Sequence, residues 1–457
     1  MADVRGSTPL GSTVPQLPPE PRSARAGRGS AVPEGFRMAG LVVLLLVAVV
    51  VLGAAHWYLW RRLVRDVTGS RRLRRVGAAV AVVLALLVPV TLVGTRQLGP
   101  VHSGWLAWPG FLWMALLFYL FLALAVLELP RLAALRIAGR TTRATRATWV
   151  DAAVPVGGGI AQAESPAEGQ PESPPVGRRL VIARGAALAA TAAAAGTVGY
   201  GLYRGLGAPE VKTVQVGLKR LDPRLAGFRI TMASDIHLGP ILGRAHTERI
   251  VRLINATSPD LVAVVGDLAD GSAAELGPAA EPLARLVSRH GTFFVTGNHD
   301  YFSGADAWIE ELADFGVRTL RNQHLEIAHG AAAFDLAGVN DVTGSSYHDG
   351  PDFTAALRDR DPDRAVVLLA HQPVQVHDAV AHGVDLQLSG HTHGGQLAPF
   401  NYAVRLQQPV VAGLARFAGS GGSPDTQLYV SRGAGAWGPP VRVGAPPDIT
   451  VIELHPA

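Results

Sequence analysis

The segment Leu41–Ala55, LVVLLLVAVVVLGAA, runs for fifteen residues without a charge or a strongly polar side chain. An amphipathic surface helix needs a polar face, and this stretch has none, so it is either buried on every side or set in lipid. Three further apolar runs follow. Together the four, at about 38–60, 76–93, 105–129 and 180–203, are predicted transmembrane helices in an all-α membrane region covering 38–206. A hydrocarbon core about 30 Å thick takes about 20 helical residues, so the second run must borrow from its flanks. Trp57, Tyr58 and Trp60 close the first run, and Trp105 and Trp108 open the third, where interfacial aromatic anchors belong.

Arginine orients the spans. The loop Arg61–Arg75 carries seven Arg and one Asp, whereas Gly94–Gly104 carries only Arg96. The loop 131–179 has Arg131, Arg136, Arg140, Arg143 and Arg146 near one end and Arg178–Arg179 at the other. Loops rich in arginine stay cytoplasmic. Everything after the fourth span is therefore expected on the extracytoplasmic side of a multi-pass cell-membrane protein. Residues 1–37, rich in Pro, Gly, Ser and Arg, are expected to be a disordered tail, and 154–176 a flexible linker. The paired Arg178–Arg179 before an alanine-rich run resembles a twin-arginine export signal, a receptor-read address; the other reading is a plain fourth helix. Both place the remainder outside the cytoplasm.

Charge divides at the same boundary. Residues 1–206 hold 22 Arg and Lys against 9 Asp and Glu, and residues 207–457 hold 19 against 27. The basic overall balance thus belongs to the membrane half, and no specific nucleic-acid partner is expected. The absence of cysteine excludes thiolate catalysis, cysteine-bound zinc and disulfide staples.

From about Glu210 onward the pattern becomes short strands and helices, a second domain over 207–457. VKTVQVGLKR reads as an edge strand. Helices are expected over 246–255 and 279–290. Five apolar strands then end in coordinating groups. The stretch Phe228–His237 ends in Asp235 and His237, Asp260–Asp267 in Asp267, and Gly291–Asp300 in Asn298 and the residues after it. Ala365–Ala370 leads to His371, and Val384–Ser389 to His391 and His393. Strand ends are where an α/β sheet holds side chains firmly beside an open loop.

Seven oxygen and nitrogen donors without sulfur suit Mn, Fe or Zn, and they are too many for one ion. They match two divalent ions if a carboxylate such as Asp267 bridges them. A pair of ions about 3.5–4 Å apart can generate hydroxide and clamp a phosphoryl group for in-line displacement. His299 need not be a ligand; it is a candidate to stabilise the transition state or to protonate the leaving oxygen, with Asp300 orienting its ring. Asp270 is a candidate for a supporting role. Gly266, Gly271, Gly394 and Gly395 are expected at tight turns near the ions. Arg432 either meets a substrate phosphate or pairs with an acid, and the GSGGS stretch is expected to form a loop close to the site.

The series D235-I-H237, G266-D-L-A-D-G271, G297-N-H-D300, the isolated His371 and G390-H-T-H393 resembles the calcineurin-like metallophosphoesterases. The tail W437-G-P-P-V-R-V-G also looks like that family's bacterial membrane-associated branch. The resemblance covers about 210 to the C-terminus. It implies a four-layer α/β/β/α sandwich with the site between two sheets. It also implies one ion on Asp235, His237 and His393, a second on Asn298, His371 and His391, and Asp267 shared, with His299 beside the phosphate. The expected activity is hydrolysis of a phosphomonoester, phosphodiester or pyrophosphate, carried by a lipid or a cell-envelope precursor. The alternative is a non-catalytic envelope scaffold or sensor that keeps its metals without turnover.

Overall fold

The computed structural model of the chain describes residues 34–150, 177–419 and 425–457. The expected tail, apart from 34–37, the linker 154–176 and most of the GSGGS stretch lie outside the described residues. Four long helices open the fold: α1 (Glu34–Trp60), α2 (Arg71–His102), α3 (Gly104–Val150) and α4 (Arg178–Leu206), with a π-helical turn over Arg61–Arg65. Each contains a stretch long and apolar enough to cross a membrane: Leu46–Arg65, Arg71–His102, Gly104–Pro130 and Leu180–Leu206. The second span is longer than its apolar run because the arginines before it are already helical, with Ser70 capping the first turn. The chain divides into compact units after Leu52. The first contains the opening of α1, and the second, Gly53–Ala457, contains all the packing that positions the site.

Ala115, Tyr119, Leu120 and Leu124 of α3 are buried with Ala190, Ala194 and Val198 of α4 and with Leu59. Small residues on α4 let the two backbones approach closely, the common solution where lipid offers no hydrophobic drive between helices. At the arginine-rich end, Arg62 bonds Asp66 at 2.9 Å and Glu128 at 2.6 Å, and Arg184 Nε donates to Val67 O at 3.1 Å.

The remainder forms two six-stranded sheets. Their strands are β1 (Glu210–Leu218), β2 (Phe228–Ala233), β3 (Leu261–Val265), β4 (Thr292–Val295), β5 (Val317–Thr319), β6 (Gln323–His329), β7 (Ala332–Gly338), β8 (Val366–Leu369), β9 (Leu386–Ser389), β10 (Gly413–Phe417), β11 (Thr426–Val430) and β12 (Asp448–Pro456). The orders are β1-β12-β2-β3-β4-β5 and β10-β11-β9-β8-β7-β6. Both sheets are mixed. In the first, β2, β3, β4 and β5 run parallel; in the second, β7, β8, β9 and β11 do. β1 is the expected edge strand, paired only with β12.

The alternation of side chains along each strand builds the layers. Ile230, Met232, Ala263, Val265, Phe293 and Val295 face Leu336, Val367, Leu369, Leu386 and Leu388 between the sheets. Val262, Val264 and Phe294 point the other way, into α5 (Arg244–Ala256), α6 (Ala273–Ala280) and α8 (Ala305–Asp314), through Ile250, Ile254, Leu276, Trp308 and Leu312. On the far side, Val366 and Leu368 pack against Phe353, Ala356 and Ala379 of two short helices. The result is the four-layer α/β/β/α sandwich. The helix expected over 279–290 does not form. α6 stops at Ala280 and a 3-10 turn covers Glu281–Arg285, because Pro282 has no amide for the ladder and its ring opposes the carbonyl four residues back.

The sandwich rests directly on the helices. Val441 is buried in the α3–α4 cluster, and Arg442 N donates to Gly201 O of α4 at 2.9 Å. The Tyr119 hydroxyl donates to Ala398 O at 2.9 Å. A side chain at Gly205 would overlap the Pro440 backbone, whereas one at Gly196 meets nothing within 4 Å. Gly205→Leu should therefore lower the melting temperature of the full chain in detergent by several degrees while Gly196→Leu leaves it unchanged. Equal melting of the two variants would show that this seat is not tight.

Candidate metal centre

The sequence-predicted donors converge at the C-terminal ends of the central strands. Asp235, His237 and His393 form one cluster and Asp267, His371 and His391 another, with the donor atoms of each cluster within 4.8 Å of one another. These are the groupings that the resemblance implies. They adjoin: Asp267 Oδ2 lies 3.1 Å from His371 Nε2 and 3.8 Å from His237 Nε2. Its other oxygen accepts the His299 amide at 2.8 Å. Asn298 stands next to that amide at the start of a short helix, α7 (Asn298–Ser303), with its Oδ1 buried.

The backbone is bent to achieve this. Asp235, His237, Asp267, His391 and His393 all have positive φ, between 49° and 70°. Left-handed conformations cost a non-glycine residue on the order of 1–3 kcal/mol, although Asp and His tolerate them better than most. Successive strained corners let one loop aim two side chains at neighbouring points. At Gly297 a Cβ would strike the Asp267 carboxylate, and at Gly266, with φ +74°, it would strike the His371 ring, so only glycine fits either place.

Hydrogen bonds fix which nitrogens are free. His371 Nδ1 donates to Val265 O at 2.9 Å, which leaves its Nε2 to face Asp267. That Nε2 and Asn298 Oδ1 are both buried without hydrogen-bond partners. His237 Nδ1 meets Asp270 Oδ1 at 3.1 Å, and its Nε2 stands 3.0 Å from His393 Nε2, the rings stacked. Two imidazole nitrogens at that distance, beside the Asp235 carboxylate, require a cation or a proton between the groups. Orphaned donors of N and O type around buried carboxylates fit divalent ions.

The titration of the cluster carries the same message. Burial would lower His237, but Asp270, Asp267 and Asp235 together raise it to about 9. Burial likewise opposes the charge on His371, and Asp267 overrides it, holding the imidazole well above its ordinary value. Burial pushes Asp235 up, while Asp267, against its own burial, is held well below the carboxylate range chiefly by His371. His391 falls to about 3 through burial and the neighbouring His371. The carboxylates thus draw positive charge onto the imidazoles of His237 and His371.

The expected partner of His299 is corrected. Asp300 is fully buried and turned away from that ring, its oxygens accepting the amides of Asp267 at 2.9 Å, Leu268 at 2.9 Å and Gly297 at 2.7 Å. It ties β3's end to β4's end. Asp270 is the group that holds the ring, with His299 Nδ1 2.7 Å from its Oδ1. Spacing explains the misassignment: a carboxylate next in sequence to a histidine at a helix start points back to free amides, not toward its neighbour. Asp270 touches both His237 and His299, and its carboxyl is held below the usual range by them against its burial. Gly271 also departs from expectation, since it faces Pro100 of α2 and not the ions' place. Arg432 pairs with Asp448 at 2.7 Å and Glu210 at 3.3 Å.

Known proteins place the chain. The family described as Calcineurin-like phosphoesterase matches residues 228–395. An uncharacterized metallophosphoesterase of Bacillus subtilis is 33% identical over 275 residues, 59% of this chain and 93% of that protein. Another, of Aquifex aeolicus, is 34% identical over 235 residues, 51% of this chain and 87% of that one. The chain belongs to the calcineurin-like metallophosphoesterases. A cattle protein, "Transmembrane protein with metallophosphoesterase domain", is 40% identical over 269 residues, 56% of this metallophosphoesterase. The match spans 60% of the cattle protein's own length. Similarity therefore extends beyond bacteria and does not single out a bacterial branch.

Two residues beside this metallophosphoesterase site, both within the tail W437-G-P-P-V-R-V-G, were given no role by the sequence. Arg442 is fully buried and donates to the carbonyls of His393 at 2.9 Å and Arg432 at 2.7 Å, and to Gly435 O; its guanidinium also lies 3.0 Å from His393 Nδ1. In sequence it is one arginine among several, with no spacing to mark it. Trp437 packs edge-on against His299, ring centroids 5.6 Å apart. The proton uptake of His237 has a measurable consequence. Its folded pKa of about 9 lies above the ordinary 6.5, so its contribution is whole below pH 6.5 and lost as pH rises through 9. The melting temperature of chelator-treated protein should fall between pH 6.5 and 9, and Mn should remove most of that slope. A flat metal-free profile would contradict the charge account.

Proposed function

We propose that the protein is a membrane-anchored phosphohydrolase that cleaves a phosphomonoester, phosphodiester or pyrophosphate bond presented at the extracytoplasmic membrane surface. One observation carries the reading: the Asp235, His237 and His393 cluster adjoins the Asp267, His371 and His391 cluster, with Asp267 3.8 Å from His237, and His299 stands beside them, grouped with His237 through Asp270. Held by Asp235, His237 and His393 on one side and Asn298, His371 and His391 on the other, with Asp267 between, two divalent ions (Mn, Fe, Zn or a mixture) would supply activation of water and neutralisation of phosphoryl charge.

The chain's own contribution centres on His299. Asp270 takes its Nδ1 proton in a hydrogen bond, which fixes the tautomer and leaves Nε2 to exchange a proton with the leaving oxygen. Phe302 and Trp437 lie edge-on to the ring at 5.6 Å each and keep it from turning. The buried Asp300 lets the Asp267 and Gly297 amides stay where the carboxylate needs them.

Placement at a membrane surface rests on the helices. Pro100 near the end of α2 and Gly104 at the start of α3 meet Gly271 and Pro240 of the sandwich. The arginine cluster 61–75 lies at the opposite end of α2, where Arg62 bonds Glu128 far along α3. Arginine-rich ends stay cytoplasmic, so this supports a catalytic domain on the other side. A Cβ at Gly438 would meet the Phe111 ring of α3, which puts the neighbouring Trp437, and through it His299, close to the outer ends of the spans. A phosphate ester of a lipid or a lipid-linked envelope precursor fits that position.

Purified full-length protein with Mn should hydrolyse a chromogenic phosphodiester. His299→Ala should lose about 10²–10⁴ in kcat with Mn still bound, the usual range for a removed acid or base. Asp267→Asn should lose metal and activity together. Metal-bound wild type inert toward monoesters, diesters and pyrophosphates alike would instead favour the scaffold reading. Asp270→Asn should depress kcat with little change in melting temperature, whereas Asp300→Asn should chiefly lower the melting temperature. The reverse pattern would restore Asp300 as the partner of His299.

A further inference from the structure

A segment of the sandwich lies at the depth of the spans. Trp108 and Glu128 bracket the apolar part of α3, and the 20 residues between them rise about 30 Å, the thickness of a hydrocarbon core. Tyr119 lies 11 residues inward from Trp108, roughly 16 Å along the helix. Its side chain leans back toward the helix N-terminus, recovering part of that distance, and its hydroxyl bonds Ala398 O. Leu397 and Val443 pack against the same helix cluster. The chain leaves this contact through Pro399 into the short helix Asn401–Val404.

The segment after Pro399 is apolar and uncovered. Phe400 is 55% exposed, Tyr402 66% and Leu406 87%. Arg405 lies over the Tyr402 ring, its guanidinium carbon 5.8 Å from the centroid. An aqueous loop gains nothing from three large apolar side chains in seven residues. Aromatic and aliphatic groups beside one arginine are the composition of a segment lying in the headgroup boundary, with apolar groups toward the acyl chains and the cation toward phosphate.

We propose that Phe400–Leu406 is a membrane-inserted rim of the catalytic domain, its occupant the bilayer leaflet on the catalytic side. The segment continues from S389-G-H-T-H-G-G-Q396, and Gln396 is bonded to the Trp437 backbone in both directions. The rim therefore sets the height of the metal centre above the lipid. A phosphate in the headgroup plane reaches the site without its lipid leaving the membrane.

The inference rests on the proposed membrane placement of the helices, and the experiment separates the two. Because the chain has no cysteine, each of Leu406→Cys, Val83→Cys and Val287→Cys carries a single thiol for a spin label. Val83, 64% exposed on α2, reports lipid, and Val287, 67% exposed on the sandwich, reports water. Full-length protein is reconstituted in vesicles of phosphatidylethanolamine and phosphatidylglycerol, and collisions with oxygen and with a water-soluble nickel chelate are compared. The expected result is that oxygen dominates severalfold at Leu406, as at Val83, and the chelate at Val287. Lipid at Val83 with water at Leu406 would overturn the rim alone. A label at Leu406 shielded from both reagents would also overturn it, pointing to a second copy as cover. Water at Val83 would overturn the membrane placement and the rim with it.

Discussion

Asp235 and Asp267 are carboxylates held out of water at the ends of adjacent parallel strands, where desolvation penalises their charge. The fold answers with directed partners. The His391 amide reaches Asp235 at 2.9 Å, the His299 amide reaches Asp267, and five imidazoles crowd the remaining space. Amides alone leave the charge unbalanced, and His237 and His371 hold protons far outside their ordinary range. A pair of divalent ions would resolve the same imbalance with the same donors, which is the physical case for the proposed metal site.

Holding that network requires backbone that no ordinary turn supplies. Five of the proposed ligands stand at positive φ, and glycine is needed where Asp267 and His371 are approached most closely. Such strain persists only where the surroundings over-determine it. Here the first sheet does so: β3 and β4 end side by side, and Asp300 sews their ends together through three amides. The residue expected to serve catalysis directly is a brace, and the acid further along the β3 loop, Asp270, holds His299, the proposed proton-transfer histidine.

How much is legible in a sequence depends on how local each signal is. An apolar strand ending in Asp, Asn or His is visible within ten residues, so all seven proposed ligands and the parallel strands behind them were legible. Asp270 was half legible, since spacing places it near Asp267 but does not show whether its carboxylate reaches His299. The extent of the second span was not, because charged residues join α2 without interrupting its ladder. Arg442 was opaque. Its partners lie 49 and 10 residues away in sequence, and its meaning comes from complete burial, which no local pattern encodes.

Arg442 also shows why the two halves of the chain are one machine. Its neighbour Val441 is buried among the spans, its own amide bonds Gly201 of α4, and its guanidinium holds the carbonyl of His393. A displacement of α4 relative to the sheets must either break the Gly201 bond or move the turn that carries His393. Packed interiors transmit such shifts because they have little slack. The helices therefore act as a mechanical reference for the candidate metal centre. A catalytic domain cut away from them would keep its ligands but lose the wall against which one of them is set.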